Sequence, residues 1–354
     1  MAALLLTRKD VIKLLDIDDC IAGVEQAFRL HGEGNTLPPA ILGMHLQNGG
    51  FHVKVGVLET ATPYFVAKIN ANFPGNPTRN GRPMIQGIVT VCDVTDGAFL
   101  ALIDSIEVTI IRTGAATAVA AKFLALTDAS TVTICGCGNQ GRISLRALMK
   151  VRELKSVYAF DIDEVIARRF ASDFSAQLNV IPVSKDLLAP ALKSSKIIVT
   201  CTPSKQPFVA REHISPGTFI AAVGADSAEK QELFPDLLAA SKIVSDVTQQ
   251  SATIGELHHA IDEKGLTIAA VHAELGMIVA GKKPGRENED EIIVFDSTGI
   301  ALQDAAAASI VYENALNQGA GTPFTFDESC NLKSNEHPKN ERRTSALRSW
   351  FPFR

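Results

Sequence analysis

The chain has 354 residues, 46% of them hydrophobic and 21% charged, enough apolar material to bury a large core and divide into two domains. A net charge of -5, with Lys and Arg scattered outside the C-terminal stretch, excludes the basic field that nucleic acid binding needs. No apolar run approaches a membrane span of about 18 residues and Ala2–Leu6 is too short for the core of a secretion signal, so the cytoplasm is the expected location.

Thr7–Leu15 and Asp18–Leu30 read as two amphipathic helices, the second ended by Gly32 and Gly34. Strand patterns follow at Phe51–Val55, Tyr64–Ala71 and Ile85–Cys92. Asp93–Ala98 makes a hairpin turn into a further strand at Phe99–Ile103. Between them Asn72–Pro77 reads as a rigid loop rich in turn formers. Ser105–Leu126 is a long helix of Ala, Thr and Val, small enough on its faces to pack closely on a sheet.

From Thr131 onward the pattern changes to strands alternating with helices, the signature of βαβ units and a parallel sheet. Its strands include Lys196–Cys201, Phe219–Val223 and Lys242–Ser245, and Asp296–Asn317 reads as the final helix. The first unit carries the clearest motif. The β-branched run Thr131–Ile134 enters Gly136, Gly138 and Gly141, spaced G-x-G-x-x-G, and a helix runs from about Asn139 to Val151. The first glycine suits the tight turn, the second the approach of a pyrophosphate, and the third the packing of helix on strand. The helix N-terminus, with Asn139 and Gln140, directs unpaired N–H groups and a positive dipole end at the phosphates. Asp161 ends the next strand, 20 residues after Gly141, where a carboxylate accepts both ribose hydroxyls and repels a 2′-phosphate. The motif therefore predicts NAD in preference to NADP. The alternative, a glycine-rich turn in an unrelated α/β sheet, leaves Asp161 as a strand-end cap.

Other features are less specific. Six cysteines (Cys20, Cys92, Cys135, Cys137, Cys201 and Cys330) show no paired framework and suit small buried hydrophobes in a reducing compartment. Cys135-x-Cys137 reads as loop packing rather than redox or metal chemistry. His258-His259 faces two directions on a helix and completes no ligand set, so no metal is expected. Asp327–Arg354 is basic, lacks apolar periodicity and reads as a disordered or loosely docked tail, with partner binding as the alternative.

Ordered segments along residues 1 to about 320 resemble the ornithine cyclodeaminase and mu-crystallin family. They are Val66–Asn70, Phe73–Pro77, Ile85–Gly87, Arg112–Ala118, Ala222–Asp226 and Asp290–Gly299. The resemblance implies an α/β fold: a Rossmann-type doubly wound NAD domain over 121–300, and an α+β substrate-binding and dimerisation domain over 1–120 completed by about 301–326. It further implies a homodimer assembled through the first domain's strands, with a small amino-acid or imino-acid substrate in the cleft between domains.

Three residues in matched segments are the candidates for chemistry. Lys68, among apolar strand residues, corresponds to the family lysine beside the substrate carboxylate and reacting carbon. Desolvation there suits proton transfer. Arg112, in a helix otherwise of Ile, Thr and Ala, offers a bidentate grip on a carboxylate. Lys68 and Arg112 can instead be structural ion-pair partners. The resemblance makes Asp226, at a strand's C-terminal end, the acid/base for the substrate nitrogen; the alternative is a helix N-cap before Ser227. The same resemblance places Thr113 near the pyrophosphate, Thr202-Pro203 by the nicotinamide ribose, and Val223 with Ser297, Thr298 and Gly299 along the nicotinamide.

Two departures bear on substrate. Many members carry an arginine after a Pro-Pro-like segment, whereas Pro38-Pro39 here leads to Ala40–His45, leaving His45 or Lys54 to replace that cation. His45 and His52 also suit satisfied structural roles. Ornithine-using members place an acid where this chain has Lys54, which would repel a diamine. The expected function is an NAD(H)-dependent amino-acid dehydrogenase or ketimine/imine reductase acting at Cα–N. The alternatives are an ornithine cyclodeaminase, forming L-proline and ammonia, and a non-catalytic crystallin-like binder of small ligands.

Overall fold

A computed structural model describes residues 2–59 and 62–325. The tail expected over 327–354, and Cys330, lie outside the described residues.

Strand β1 (Ala3–Leu6) precedes helix α1 (Arg8–Leu14), which opens on a reciprocal cap: Asp10 N donates to Thr7 Oγ1, and Thr7 N to the Asp10 carboxylate at 2.8 Å. Helix α2 (Ile17–Glu33) starts at Asp16, whose side chain accepts from Asp18 N, and stops at Gly34 with φ 84°. It runs past the expected end at Leu30. Gly32 lies inside it and serves contact instead, because a Cβ there would meet the carbonyl oxygen of Gly276 at 1.9 Å.

Strands β2 (Ala40–Leu46), β3 (Gly49–Leu58), β4 (Tyr64–Asn72), β5 (Ile85–Asp93) and β6 (Phe99–Asp104) pair antiparallel in succession. β1 adds parallel to β6, and Thr322–Phe324 closes the far edge of this seven-stranded sheet. The expected rigid loop after β4 contains a short helix, α3 (Asn76–Asn80), because Pro77 falls in its first turn, where a missing N–H costs nothing. Asp93 N donates to Ala98 O at 2.9 Å, closing the hairpin as expected.

Helix α4 (Ser105–Leu124), capped by Asp104 through Ile106 N, leads to the second sheet. Here the chain alternates: β7 (Thr131–Cys135), α5 (Asn139–Val151), β8 (Ser156–Phe160), α6 (Glu164–Phe174), β9 (Asn179–Val183), α7 (Lys185–Ser194), β10 (Ile197–Thr200) and β11 (Phe219–Ala222). It continues through α8 (Pro235–Ala239), β12 (Lys242–Ser245), α9 (Thr248–Ile254), α10 (Glu256–Lys264), β13 (Val271–Glu274), α11 (Leu275–Val279), β14 (Ile293–Asp296) and α12 (Ala301–Gln318). The order is β13-β12-β14-β11-β10-β7-β8-β9, with all pairings parallel, a doubly wound sheet whose fully buried central strands read as continuous apolar runs. The final helix starts later than expected. Ile293–Asp296 is a buried strand, and Gly299 at φ 75° breaks the chain before Ala301.

Period-2 alternation gives the first sheet two unlike faces. Tyr64, Val66 and Lys68 point inward, where α12 packs on β3 and β4 and α4 on β5. Leu42, Met44, Phe51, Phe65, Ile69 and Ile88 form an exposed apolar face on the other side. No helix among the described residues is long and apolar enough to cross a membrane.

Candidate active site

In an open parallel sheet the ligand crevice lies beyond the C-terminal strand ends, where the order reverses. That point lies between β7 and β10, since the chain runs from β7 through β8 to β9 on one side and then crosses back from β9 to β10 on the other. Apart from Thr113, the residues predicted for the cofactor follow such ends. Gly136, after β7, has φ 101°, and a Cβ on it would lie 3.0 Å from Cys201 O and 3.1 Å from Thr202 Cγ2. A Cβ on Gly141 would meet Gly136 O at 2.0 Å, so helix and turn pack only through glycine. Gly138 borders open space and leaves the N-terminus of α5 without a side-chain cap, while the buried Gln140 Oε1 has no partner. Beyond β8, Asp161 accepts from Cys137 N at 2.9 Å and from Asp163 N at 3.1 Å, which fixes its carboxylate beside the glycine turn. Free helix N–H groups, an open glycine cradle and an adjacent carboxylate together fit a dinucleotide.

Thr202 and Pro203 follow β10, Val223 follows β11, and Ser297–Gly299 follow β14, so the strand pairing brings these loops side by side. The hydroxyls of Ser297 and Thr298 turn back toward Asp246, at 3.4 and 2.9 Å, and Gly299 N donates to the same carboxylate at 2.6 Å. These residues therefore present backbone to the crevice. Thr113, on α4, donates its hydroxyl to Thr109 O within the helix.

Above that loop, register places Lys54 on β3 directly opposite Lys68 on β4. Lys54 Nζ donates to Thr298 O at 3.0 Å and to Gly299 O, tying the first sheet to the cofactor crevice. Lys68 Nζ donates to Asp304 Oδ1 at 2.7 Å, and Arg112 Nε lies 3.0 Å from the same oxygen. Arg112 Nη1 donates to Gln303 Oε1 at 2.7 Å, and a Cβ on Gly299 would strike that guanidinium. Lys68 and Arg112 thus share the carboxylate of Asp304, itself 1% exposed, with the buried Lys54 as a third positive group nearby. Burial drives the Lys68 ammonium down to about 7, against the pull of Asp304 and with repulsion from Arg112 and Lys54. Burial likewise lowers Lys54, aided by Arg112. Burial pushes Asp304 upward, but Lys68, Arg112 and Lys54 prevail and hold it below the usual carboxylate range. Arg112 Nε, Gln303 Nε2 and Asp304 Oδ2 are buried without a hydrogen-bond partner in the protein.

Asp226 lies four residues beyond β11 and caps no helix, because 227–229 is a turn. Its carboxylate, 51% exposed, receives Lys230 Nζ at 2.6 Å. Desolvation by surrounding protein works to raise its pKa, and Lys230 above all, with Lys54, overcomes it, so the group stays ionised. His52 is held below its usual range by burial, opposed by Asp226, and is therefore neutral. The exposed His45 ring stands edge-on to His52 with centroids 6.1 Å apart. His258 meets Asp262 at 3.3 Å and His259 pairs with Lys230 O at 2.9 Å. No cluster of metal ligands occurs among the described residues.

Sequence reasoning missed Asp304, Gln303, Asp246 and Glu232. A charged residue in an alanine-rich helix singled out Arg112, and the same signal was present in Ala301–Ala308 around Asp304.

Residues 1–319 match the pattern of the ornithine cyclodeaminase/mu-crystallin family. An alanine dehydrogenase of Archaeoglobus fulgidus is 36% identical over 329 residues, covering 92% of this chain and 99% of that protein. An archaeal alanine dehydrogenase dimer solved with bound NAD superposes with a TM-score of 0.88 at 35% identity, covering 92% of this chain and all (100%) of that one. The Δ1-pyrroline-2-carboxylate reductase of Thermococcus litoralis, solved with NADH and L-proline, gives 0.84 at 33% identity, covering 90% and 99%. A buried cation cluster set over a glycine-turn crevice, in a chain matched along nearly its whole length, belongs to the ornithine cyclodeaminase/mu-crystallin family.

Proposed function

We propose that the chain is an NAD(H)-dependent amino-acid dehydrogenase or imine reductase acting at the Cα–N bond. The observation that carries this reading is the buried positive charge gathered beside the dinucleotide crevice: Lys68 and Arg112 share the carboxylate of Asp304, and Lys54 is bonded to backbone carbonyls. Buried charge of one sign is costly unless a partner balances it, and a substrate carboxylate is that partner. Arg112 and Lys68 grip the carboxylate, Lys54 adds a third positive group and holds the loop at Gly299, and His45 stands at the outer edge. NAD(H), when bound, supplies or accepts the hydride at Cα. Asp226, ionised at rest, takes the proton of the substrate nitrogen in oxidation and returns it in reduction. Gly136, Gly138, Asn139, Gln140 and Gly141 hold the pyrophosphate with Thr113, Asp161 takes the ribose hydroxyls, and Thr202, Pro203, Val223 and Ser297–Gly299 border the nicotinamide.

Lys54 stands where the resemblance implies an acid in ornithine-using members, and a cation at that position disfavours a diamine and with it the cyclodeaminase alternative. The intact set of Lys68, Arg112 and Asp226 disfavours a purely binding role. The exposed apolar face of the first sheet suits a second copy of the chain, in a homodimer whose substrate-binding halves comprise 1–120 with 301–326 and whose NAD-binding halves comprise 121–300. A chain with free buried thiols fits the cytoplasm.

The cofactor reading is tested by titrating NADH and NADPH against protein fluorescence, followed by NADH oxidation with an imino acid. NADH is expected to bind at least about tenfold more tightly, because Asp161 meets the 2′ position and Arg168, on the helix that follows it, is engaged by Glu164 at 3.1 Å. Equal affinities, or a preference for NADPH, would contradict it.

A further inference from the structure

Glu232 takes no part in the chemistry above, yet it is fully buried at the crevice wall. Its carboxylate accepts three hydrogen bonds, from Thr202 N at 2.6 Å, Thr202 Oγ1 at 2.7 Å and Gly224 N at 3.1 Å. Thr202 lies just past β10 and Gly224 just past β11, its parallel neighbour. One side chain therefore bridges two loops that adjacent strands deliver to the same crevice. Gly224 is a glycine for this reason, since a Cβ there would lie 2.4 Å from Glu232 Oε2.

The clamp itself is anchored. Glu232 N donates to the buried Glu256 carboxylate at 2.7 Å, and Glu232 O accepts from Phe208 N at 2.9 Å and Val209 N at 3.1 Å. All three groups on its carboxylate are donors, so only a side chain with two acceptor oxygens satisfies both loops.

We propose that Glu232 is a positioning residue that fixes the spacing between the Thr202 loop and the Gly224–Asp226 loop. It acts through the cofactor on one side and the acid/base on the other. The proposal rests on the oxidoreductase reading above, in which the first loop borders the nicotinamide ribose and the second carries Asp226. Hydride and proton transfer require both loops in register, and misplacement by about 1 Å costs on the order of 10²-fold in rate.

The test compares Glu232→Gln with Thr202→Val, which removes one of the three donors and the acceptor of Ser204 N. In the full-length protein without cofactor, Glu232→Gln is expected to speed amide exchange at Thr202 and Gly224 about tenfold or more, with β7 unchanged. With NADH and an imino acid, kcat should fall about 10²-fold at nearly constant KM and NADH affinity, and the isotope effect from 4-deuterated NADH should rise as hydride transfer becomes limiting. Thr202→Val should move the same readouts in the same direction by less, and it decides the matter if Glu232→Gln does not fold. Unchanged amide exchange and an unchanged isotope effect in these variants would overturn the proposal. Absence of turnover in the wild-type protein would defeat the oxidoreductase reading, while amide exchange would still decide whether the clamp exists.

Discussion

Asp304→Asn is expected to cost about 3–5 kcal/mol of stability and to weaken substrate binding in a pH-dependent way. The carboxylate is shared by Lys68 and Arg112, both almost wholly buried, so its loss leaves two cations without their anion in a low-dielectric setting. An exposed pair would contribute under about 1 kcal/mol, and burial is what makes this one large. The pH effect has a definite sign. Lys68, already down to about 7, is kept from falling further by Asp304. Substrate carboxylate needs the protonated ammonium, so KM in the wild type should rise above about pH 7, and in the variant the rise should begin at lower pH. Thermal unfolding gives the first quantity and KM across pH 5–9 (about that range suffices) the second. A variant with wild-type unfolding and an unchanged profile would make the ion pair incidental.

Asp226→Asn is expected to lower turnover by 10² to 10⁴-fold, roughly 3 to 5 kcal/mol of barrier, while NADH affinity stays nearly constant. Asparagine keeps the shape and removes the proton acceptor. The lost contact with Lys230 is a half-exposed pair four residues apart, worth only a few tenths of a kcal/mol, so folding should be almost unaffected. Single-turnover kinetics with titrated NADH separates the two effects. Near-wild-type rates would reduce Asp226 to a surface partner of Lys230.

The doubly wound sheet was readable because its signals are local: a β-branched strand, a glycine turn and a helix within about 20 residues, then Asp161 at the next strand end. Lys68 and Arg112 stood out as charges in apolar runs. Their partner Asp304 carries the same signal in its alanine-rich helix, but it lies 236 residues from Lys68, and no local spacing joins the two. The buried carboxylates Asp246 and Glu232 were hidden for the same reason, since each pairs with backbone amides of distant loops, and such pairing leaves no periodicity. Lys54 was visible as a charge but not as the residue that binds Gly299, which only the β3–β4 register and the path of β14 bring together. The start of the last helix was misplaced because Asp296 resembles an N-cap; in the fold its carboxylate accepts from Glu256 N and Leu257 N, at the head of α10.

The central claim is tested most directly by incubating the enzyme separately with ornithine, lysine, alanine, aspartate and Δ1-pyrroline-2-carboxylate, following ammonia, proline and NADH together. Because this chain carries Lys54 where the resemblance implies an acid in ornithine-using members, a short amino acid, its imine or a cyclic ketimine should give the highest kcat/KM, with one NADH formed or consumed per turnover. Proline and ammonia released from ornithine at the highest efficiency of the panel, with no net change in NADH, would contradict the account and establish a cyclodeaminase.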